Sequence, residues 1–341
     1  MHIKTDLSQA LKLSIIPSKP MLAILAGIKI TADKDIKLAT TDLEISKVVT
    51  CTGTIKKKGS CVVNGKMLLD IFKTISTADL ELKESELVIT SESSSFRLPT
   101  MDIKEFPDFP EFKSEEKLEI DGDMLTEAIT KTIKAVGKDA SRPVLTGAKL
   151  TIGKDFTLVA TDSYRLAKYS QKINSKVKIE ALIPLASLEE ILKLIDGVVV
   201  ISCDKNLIKI QTAQTIFLTR VLDGQFPNYK DIIPKENKST ITCDKDDLTN
   251  AIKQAELMAG QNNAITIEGS LEIRAATKQI GESKVKVKAD GKMEATSFNA
   301  QYLLDGLSCI DSVKMGYNGP VNPCVFQDNN YLYMIMPVRT V

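Results

Sequence analysis

The chain repeats itself at a spacing of 120 residues, and this limits its folds more than any local pattern does. Leu158-Val-Ala-Thr-Asp-Ser-Tyr-Arg-Leu-Ala-Lys168 is answered by Leu38-Ala-Thr-Thr-Asp-Leu-Glu-Ile-Ser-Lys47, with Thr41-Asp42 standing 120 positions before Thr161-Asp162. Two further matches keep that offset: Asn64 to Ile75 against Pro184 to Ile195, and Phe106-Pro-Asp-Phe109 against Phe226-Pro-Asn-Tyr229. Three matches in one register make a repeat of domain size, well above the ~20–50 residues of solenoid units.

A third, fainter copy follows. Phe298-Asn-Ala-Gln-Tyr-Leu-Leu-Asp-Gly-Leu-Ser-Cys-Ile310 has the same apolar spacing 115 positions after the second copy, and Tyr333-Met-Ile-Met-Pro337 stands where Phe96-Arg-Leu-Pro99 stands in the first. A length of 341 residues allows two or three domains, and the repeat decides for three: 1–115, 116–237 and 238–341. Each should carry its own core.

Charge and rare residues narrow the chemistry. Forty-five basic against 44 acidic residues give no overall field toward nucleic acid or anionic membrane, so any such contact must come from local placement. The only histidine is His2, at the terminus where fraying is expected, which argues against His-based acid–base chemistry and His-rich metal sites. Six cysteines (51, 61, 203, 243, 309, 324) form no Cys-x-x-Cys pair, read as reduced thiols in a cytosol, and imply a cytoplasmic chain. No stretch approaches a membrane span, and no phosphate loop, His-Glu-x-x-His or Gly-x-Ser-x-Gly occurs, so neither enzyme nor cofactor is expected.

Periodicity assigns the elements. Leu7, Ala10, Leu11 and Ser14 predict a first helix, started by Thr5 or Asp6 and stopped by Pro17 and Pro20. Alternating runs predict strands up to a second helix over 65–75, then more strands. Copy two repeats this with helices over 123–136 and 187–195, and copy three with helices over 246–259 and 300–310. Two helices on antiparallel strands per copy make an α+β fold of three similar domains, with six helices in all.

Four groups of residues stand out. Asp42 and Asp162 sit at matched places where a strand enters a turn, and an aspartate there usually bonds its own backbone. Lys73 and Lys193 share one repeat position on the second helix, while Lys19 and Arg142 each precede a proline after the first. Helix lysines are commonly solvated, but recurrence favours a shared task, and sequence-independent phosphate contact is the simplest. Leu257 lies half a turn away from the stripe of Leu248, Ile252, Ala255 and Ala259, as a residue covered by a partner would. Copy two places Tyr164-Arg165-Leu166 where copy one has Glu44-Ile45-Ser46, so one turn was altered in one domain only.

With Ser141-Arg-Pro-Val-Leu-Thr-Gly147 and the terminal Met336-Pro-Val-Arg339 added, these motifs cover nearly the whole chain, and together they resemble the bacterial sliding clamp family, the β subunit of the replicative DNA polymerase. The resemblance implies a DNA-clamp ring: a head-to-tail homodimer with sheets outside and helices lining a hole for double-stranded DNA. It implies no catalytic activity and no membrane, but a tether that holds polymerase to its template. Implied partners are the polymerase α subunit, the clamp loader δ subunit, and other DNA polymerases and repair proteins, whose peptides dock in one pocket. Matched to this sequence, that pocket comprises Leu145, Thr161, Ser163, Tyr164, Arg165, Leu166, Pro227, Ile232, Met334, Met336, Pro337, Val338 and Arg339. The chain departs from the family at Ser163, where glycine is common, at Tyr164, where histidine is common, and at Thr340-Val341, which replace a terminal leucine. Lys19, Lys73, Arg142 and Lys193 are expected to face DNA, and Leu257 with Met258 to meet Phe96 of a second copy. The competing readings are an enzyme acting on nucleic acid, disfavoured by the missing chemistry, and a three-domain adaptor that does not encircle DNA.

Overall fold

The computed structural model describes residues 1–17 and 19–339. It divides into two compact units, Met1–Leu125 with Ala186–Val221, and Thr126–Leu185 with Leu222–Val341. The middle copy is thus shared between the units, and the reason is strand pairing.

In the first unit, Gly27–Ala32, Ile36–Thr41 and Ile45–Cys51 form an antiparallel meander, and Gly59–Asn64 pairs on the other side of Gly27–Ala32. His2–Thr5, Gly53–Lys57, Ala78–Lys83, Glu86–Thr90 and Ser95–Met101 extend the same hydrogen-bonded series. The outer edge of Ile45–Cys51 is taken by Thr215–Arg220 of the second copy, pairing Ile45 with Thr219 and Val49 with Thr215. Thirteen strands are joined in this way.

The second unit repeats the arrangement. Gly147–Ile152, Asp155–Thr161 and Arg165–Lys172 form the meander, and Tyr331–Ile335 of the third copy takes its edge, pairing Arg165 with Ile335 and Tyr169 with Tyr331. Nine strands join here, and Gly281–Lys286, Glu272–Thr277, Ala264–Gly269 and Met293–Asn299 form a separate sheet of four. In both units the last strand of one copy pairs with the third meander strand of the copy before it.

Six α-helices lie among the described residues: α1 Ser8–Leu13, α2 Gly65–Phe72, α3 Gly122–Thr132, α4 Leu185–Leu192, α5 Lys245–Glu256 and α6 Ala300–Leu307. Asn64 caps α2 by accepting from the Met67 amide at 3.0 Å, and Asn299 caps α6 through Tyr302 at 3.2 Å, as short polar side chains do at helix starts. Buried Leu68, Ile71 and Phe72 give α2 its inward stripe, each worth roughly 1.5–3 kcal/mol when fully buried.

Some sequence expectations were wrong. His2 does not fray: His2–Thr5 is a strand paired on both edges, and the His2 ring lies 3.2 Å from Asp79. Periodicity assigns no element to the short openers Leu118–Asp121 and Ser239–Cys243, because four or five residues carry too little alternation. Helix ends were set too late: Lys73 and Leu257 are C-caps, and α3 passes into a 3-10 turn at Ile133–Ala135. Among the described residues no helix is long and apolar enough to cross a membrane.

Candidate functional site

The Thr-Asp pairs that reveal the repeat are turn builders. In copy one Thr41 Oγ1 donates to the Ile45 carbonyl at 2.9 Å and accepts from the Leu43 amide, while Asp42 Oδ1 accepts from the amides of Glu44 and Ile45. Copy two repeats every bond: Thr161 Oγ1 donates to the Arg165 carbonyl at 2.6 Å and accepts from Ser163, and Asp162 Oδ1 accepts from Tyr164 and Arg165. The backbone twists identically, with φ of 80° at Leu43 and 79° at Ser163, a left-handed region that strains any residue but glycine. Both aspartates are occupied as structural caps.

A turn held by its first two residues leaves the next ones free to vary. Tyr164 stands out at 58% exposure. Arg165 folds inward, its Nε 3.0 Å from Asp162 Oδ2, its Nη1 2.5 Å from Asp305 Oδ2, and its guanidinium 4.1 Å over the Tyr302 ring. Burial and the Asp162 carboxylate raise the Tyr302 hydroxyl above its ordinary pKa. Charge, stacking and two carboxylates fix the arginine, so it works as a rigid wall.

That wall bounds a recess of about 400 Å³, within the range of ligand pockets, lined also by Leu145, Asp162, Tyr164 and Arg142. Arg142 Nη1 donates to Ser163 Oγ at 3.0 Å, so this residue stands over the altered turn. Leu145 of the recess belongs to a buried apolar cluster with Leu166, Met334, Phe226 and Tyr229, which backs it. The Met336 amide donates to the Tyr164 carbonyl at 2.8 Å and the Val338 amide to the Ser297 carbonyl at 2.8 Å, which pins the tail beside the turn. Thr161 is buried within its own turn, Pro227 and Ile232 are exposed, Met336, Pro337 and Val338 are half-buried, and Arg339 is exposed. Thr340-Val341 lie outside the described residues. Sequence reading missed Tyr302 and Asp305; the clue was Asp305 on α6 at the place held by Glu190 in the preceding copy.

The lysines fall elsewhere. Lys73 and Lys193 are exposed and line one recess in the first unit with Lys12, Glu190, Leu69 and Phe72. Each is paired to the acid three residues before it, Lys73 to Asp70 at 2.8 Å and Lys193 to Glu190 at 2.6 Å. Lys19 is exposed.

Leu257 is 72% exposed at the end of α5, and Met258 beside it lies near Gly281, where a Cβ would sit 3.6 Å from its sulfur. Phe96, in the strand Ser95–Met101, is half-buried against the core of the first unit.

Fold and relatives define a sliding clamp. The Beta sliding clamp of Staphylococcus aureus is 29% identical, covering 98% of this chain and 97% of its own length, and that of Chlamydia pneumoniae is 28% identical over 96% and 94%. The crystal structure of the DNA polymerase sliding clamp from Bacillus subtilis matches with a TM-score of 0.94 at 26% identity, covering both chains fully. The sliding clamp from Pseudomonas aeruginosa matches in fold at 0.95 and 24% identity, again over both full chains. The three domain descriptions of the DNA polymerase III beta subunit match in order, the N-terminal over residues 2–110, the central over 119–228 and the C-terminal over 230–339, and the chain belongs to that family.

Proposed function

We propose that two copies of this chain close head to tail around double-stranded DNA, that the ring slides without doing chemistry, and that partner proteins in the cytoplasm dock by peptides in the recess beside Tyr164. Polymerase α subunit, clamp loader δ subunit and other polymerases and repair proteins would share that one site. The domains would divide near residues 115 and 237.

The observation that carries the closure is the repeated pairing of one copy's last strand with the next meander edge. Two such edges have no strand partner among the described residues: the outer side of Ser95–Pro99, and Gly281–Lys286, which ends its sheet. Unpaired edges invite strand addition. Phe96 lies on the first edge, and Leu257 and Met258 flank the second. The repeat also gives the register. Ser46, Leu166 and Glu282 hold equivalent places opposite Thr41, Thr161 and Ala276. Ser46 pairs with Leu218 and Leu166 with Met334. Glu282 should therefore face Leu98 of the partner copy, which sets Ser283 opposite Arg97.

Peptide docking is supported by a recess with a fixed polar wall, flanked by exposed Tyr164 and half-buried Met336 and Pro337; burying two peptide side chains would yield roughly 1.5–3 kcal/mol each before ordering costs, which suits exchangeable partners. Arg142, first expected at the DNA, is better read as part of this recess. Lys19, Lys73 and Lys193 are the DNA-facing residues in this reading, as diffuse phosphate contacts. The test of closure is a cysteine pair: Arg97→Cys with Ser283→Cys should oxidise to a covalent dimer, and Arg97→Cys with Lys286→Cys should not. Equal cross-linking by both pairs, or by neither, removes this register and the head-to-tail edge.

A further inference from the structure

Both junctions between copies inside the chain are crossed by a base that reaches an acid on the next copy's second helix. At the first, Lys47 of Ile45–Cys51 meets Glu190 of α4 at 2.5 Å; the lysine side chain is 1% exposed, donates also to the Leu13 carbonyl at 3.1 Å and lies 5.8 Å from the Phe217 ring centre. At the second, Arg165 meets Asp305 of α6 at 2.5 Å, with side chains 10% and 15% exposed. The acids occupy one repeat position, and the bases stand two residues apart on equivalent strands, hence on the same face.

The third junction, between chains, is different. The acid at that position is Asp70, half-exposed and, among the described residues, paired only with Lys73 at the C-cap of its own helix. The strand that would answer it offers Gly281 and Ser283 at the places of Ile45/Arg165 and Lys47. Ser283 Oγ points to the Ala255 carbonyl of α5, so this position faces its own copy's first helix, as Lys47 faces α1. At the place of Phe217 stands Arg97, 75% exposed.

We propose that the junction between chains lacks, by residue choice at Ser283 and Arg97, the base–acid clasp that closes both junctions within the chain, and that this makes it the separable one, with Asp70 of one copy facing Ser283 of the other. The proposal rests on the head-to-tail reading above. Close charge pairs across an interface couple strongly enough to change dissociation by about tenfold or more, so restoring the clasp should show as affinity.

The experiment uses the full chain in two arms. Ser283→Lys with Arg97→Phe rebuilds the Lys47–Phe217 arrangement across the chains, and should lower the dimer dissociation constant in analytical ultracentrifugation by about tenfold or more, a gain that Asp70→Asn cancels. Lys47→Ser makes the first junction resemble the third, and should speed hydrogen exchange in the ladder of 45–49 with 215–219 by about tenfold or more, while 27–32 with 59–64 keeps its rate. If the rebuilt variant does not fold, the Lys47→Ser arm decides alone. A parent chain that sediments as one copy contradicts the head-to-tail reading itself. A dimeric parent whose affinity is unmoved, a gain that survives Asp70→Asn, or a ladder with unchanged exchange overturns the inference.

Discussion

The turns at 41–45 and 161–165 share a backbone and differ in use. Each is closed by the same threonine and aspartate bonds, each has a left-handed third residue, and each receives an amide from the following copy's last strand, Arg220 to the Glu44 carbonyl at 3.1 Å and Met336 to the Tyr164 carbonyl at 2.8 Å. On this common frame copy one sets Glu44, Ile45 and Arg220, whereas copy two sets Tyr164, Arg165 and Met336. Around the second, Tyr302 and Asp305 turn the arginine into a wall and a recess opens; at the matching places the first junction has Ser187, bonded to Thr219 at 2.6 Å, and Glu190, taken up by Lys47. A recess was thus made by side-chain exchange, without new backbone.

Giving copy two the residues of copy one breaks the comparison most. Arg165→Ile leaves Asp162 and Asp305 facing each other without their guanidinium, and should destabilise the second unit by about 3 kcal/mol or more, since one member of a buried pair is removed. Thermal melts read this; a loss under 1 kcal/mol would mean that the arginine does not hold the wall. Tyr164→Glu, at an exposed position, should leave the melt unchanged yet weaken binding of a polymerase-derived peptide by about tenfold or more in calorimetry, as loss of an aromatic anchor does. Parental affinity in that variant would move the docking site elsewhere.

Glycine tests whether the turns are as alike as their geometry. Leu43→Gly and Ser163→Gly each relieve a left-handed residue, and each should stabilise by about 1 kcal/mol in denaturant titration. A gain at one position and a loss at the other would show that the shared φ conceals different demands.

The smallest effect concerns acid. Burial pushes the Glu190 carboxyl up, but hydrogen bonds from Lys193 and Lys47 push it further down, so its pKa lies below the ordinary 4.5. A carboxyl depressed in the folded state contributes stability that is present above its unfolded value and lost as pH falls toward the folded one. Unfolding free energy should therefore decline more steeply as pH falls below about 4.5 in the parent than in Glu190→Gln. Parallel slopes would show that the clasp does not titrate.

Much of this was readable from residues alone. The pairing of the first two copies followed from Thr41-Asp42 and Thr161-Asp162, because a turn held by those side-chain bonds needs those residues, and the third copy followed from the apolar spacing of Phe298 to Ile310. The altered turn was visible as well, as Tyr164-Arg165 against Glu44-Ile45. The sharing of sheets between copies was not, since Ile45–Cys51 reads the same whether its edge meets water or Thr215–Arg220. Nor could the sequence show that Arg142 bonds Ser163, or that Asp305, 140 positions away, meets Arg165. Such contacts depend on tertiary placement, and only the matched position of Glu190 and Asp305 hinted at them.

A chain that holds DNA by encircling it should release or retain that DNA according to its topology. Clamps loaded on a nicked circular plasmid should stay bound through gel filtration at a salt concentration that disrupts phosphate contacts, and should be released when a single restriction cut linearises the plasmid. Retention that is equal before and after the cut, or loss from the circle at that salt, would contradict the account.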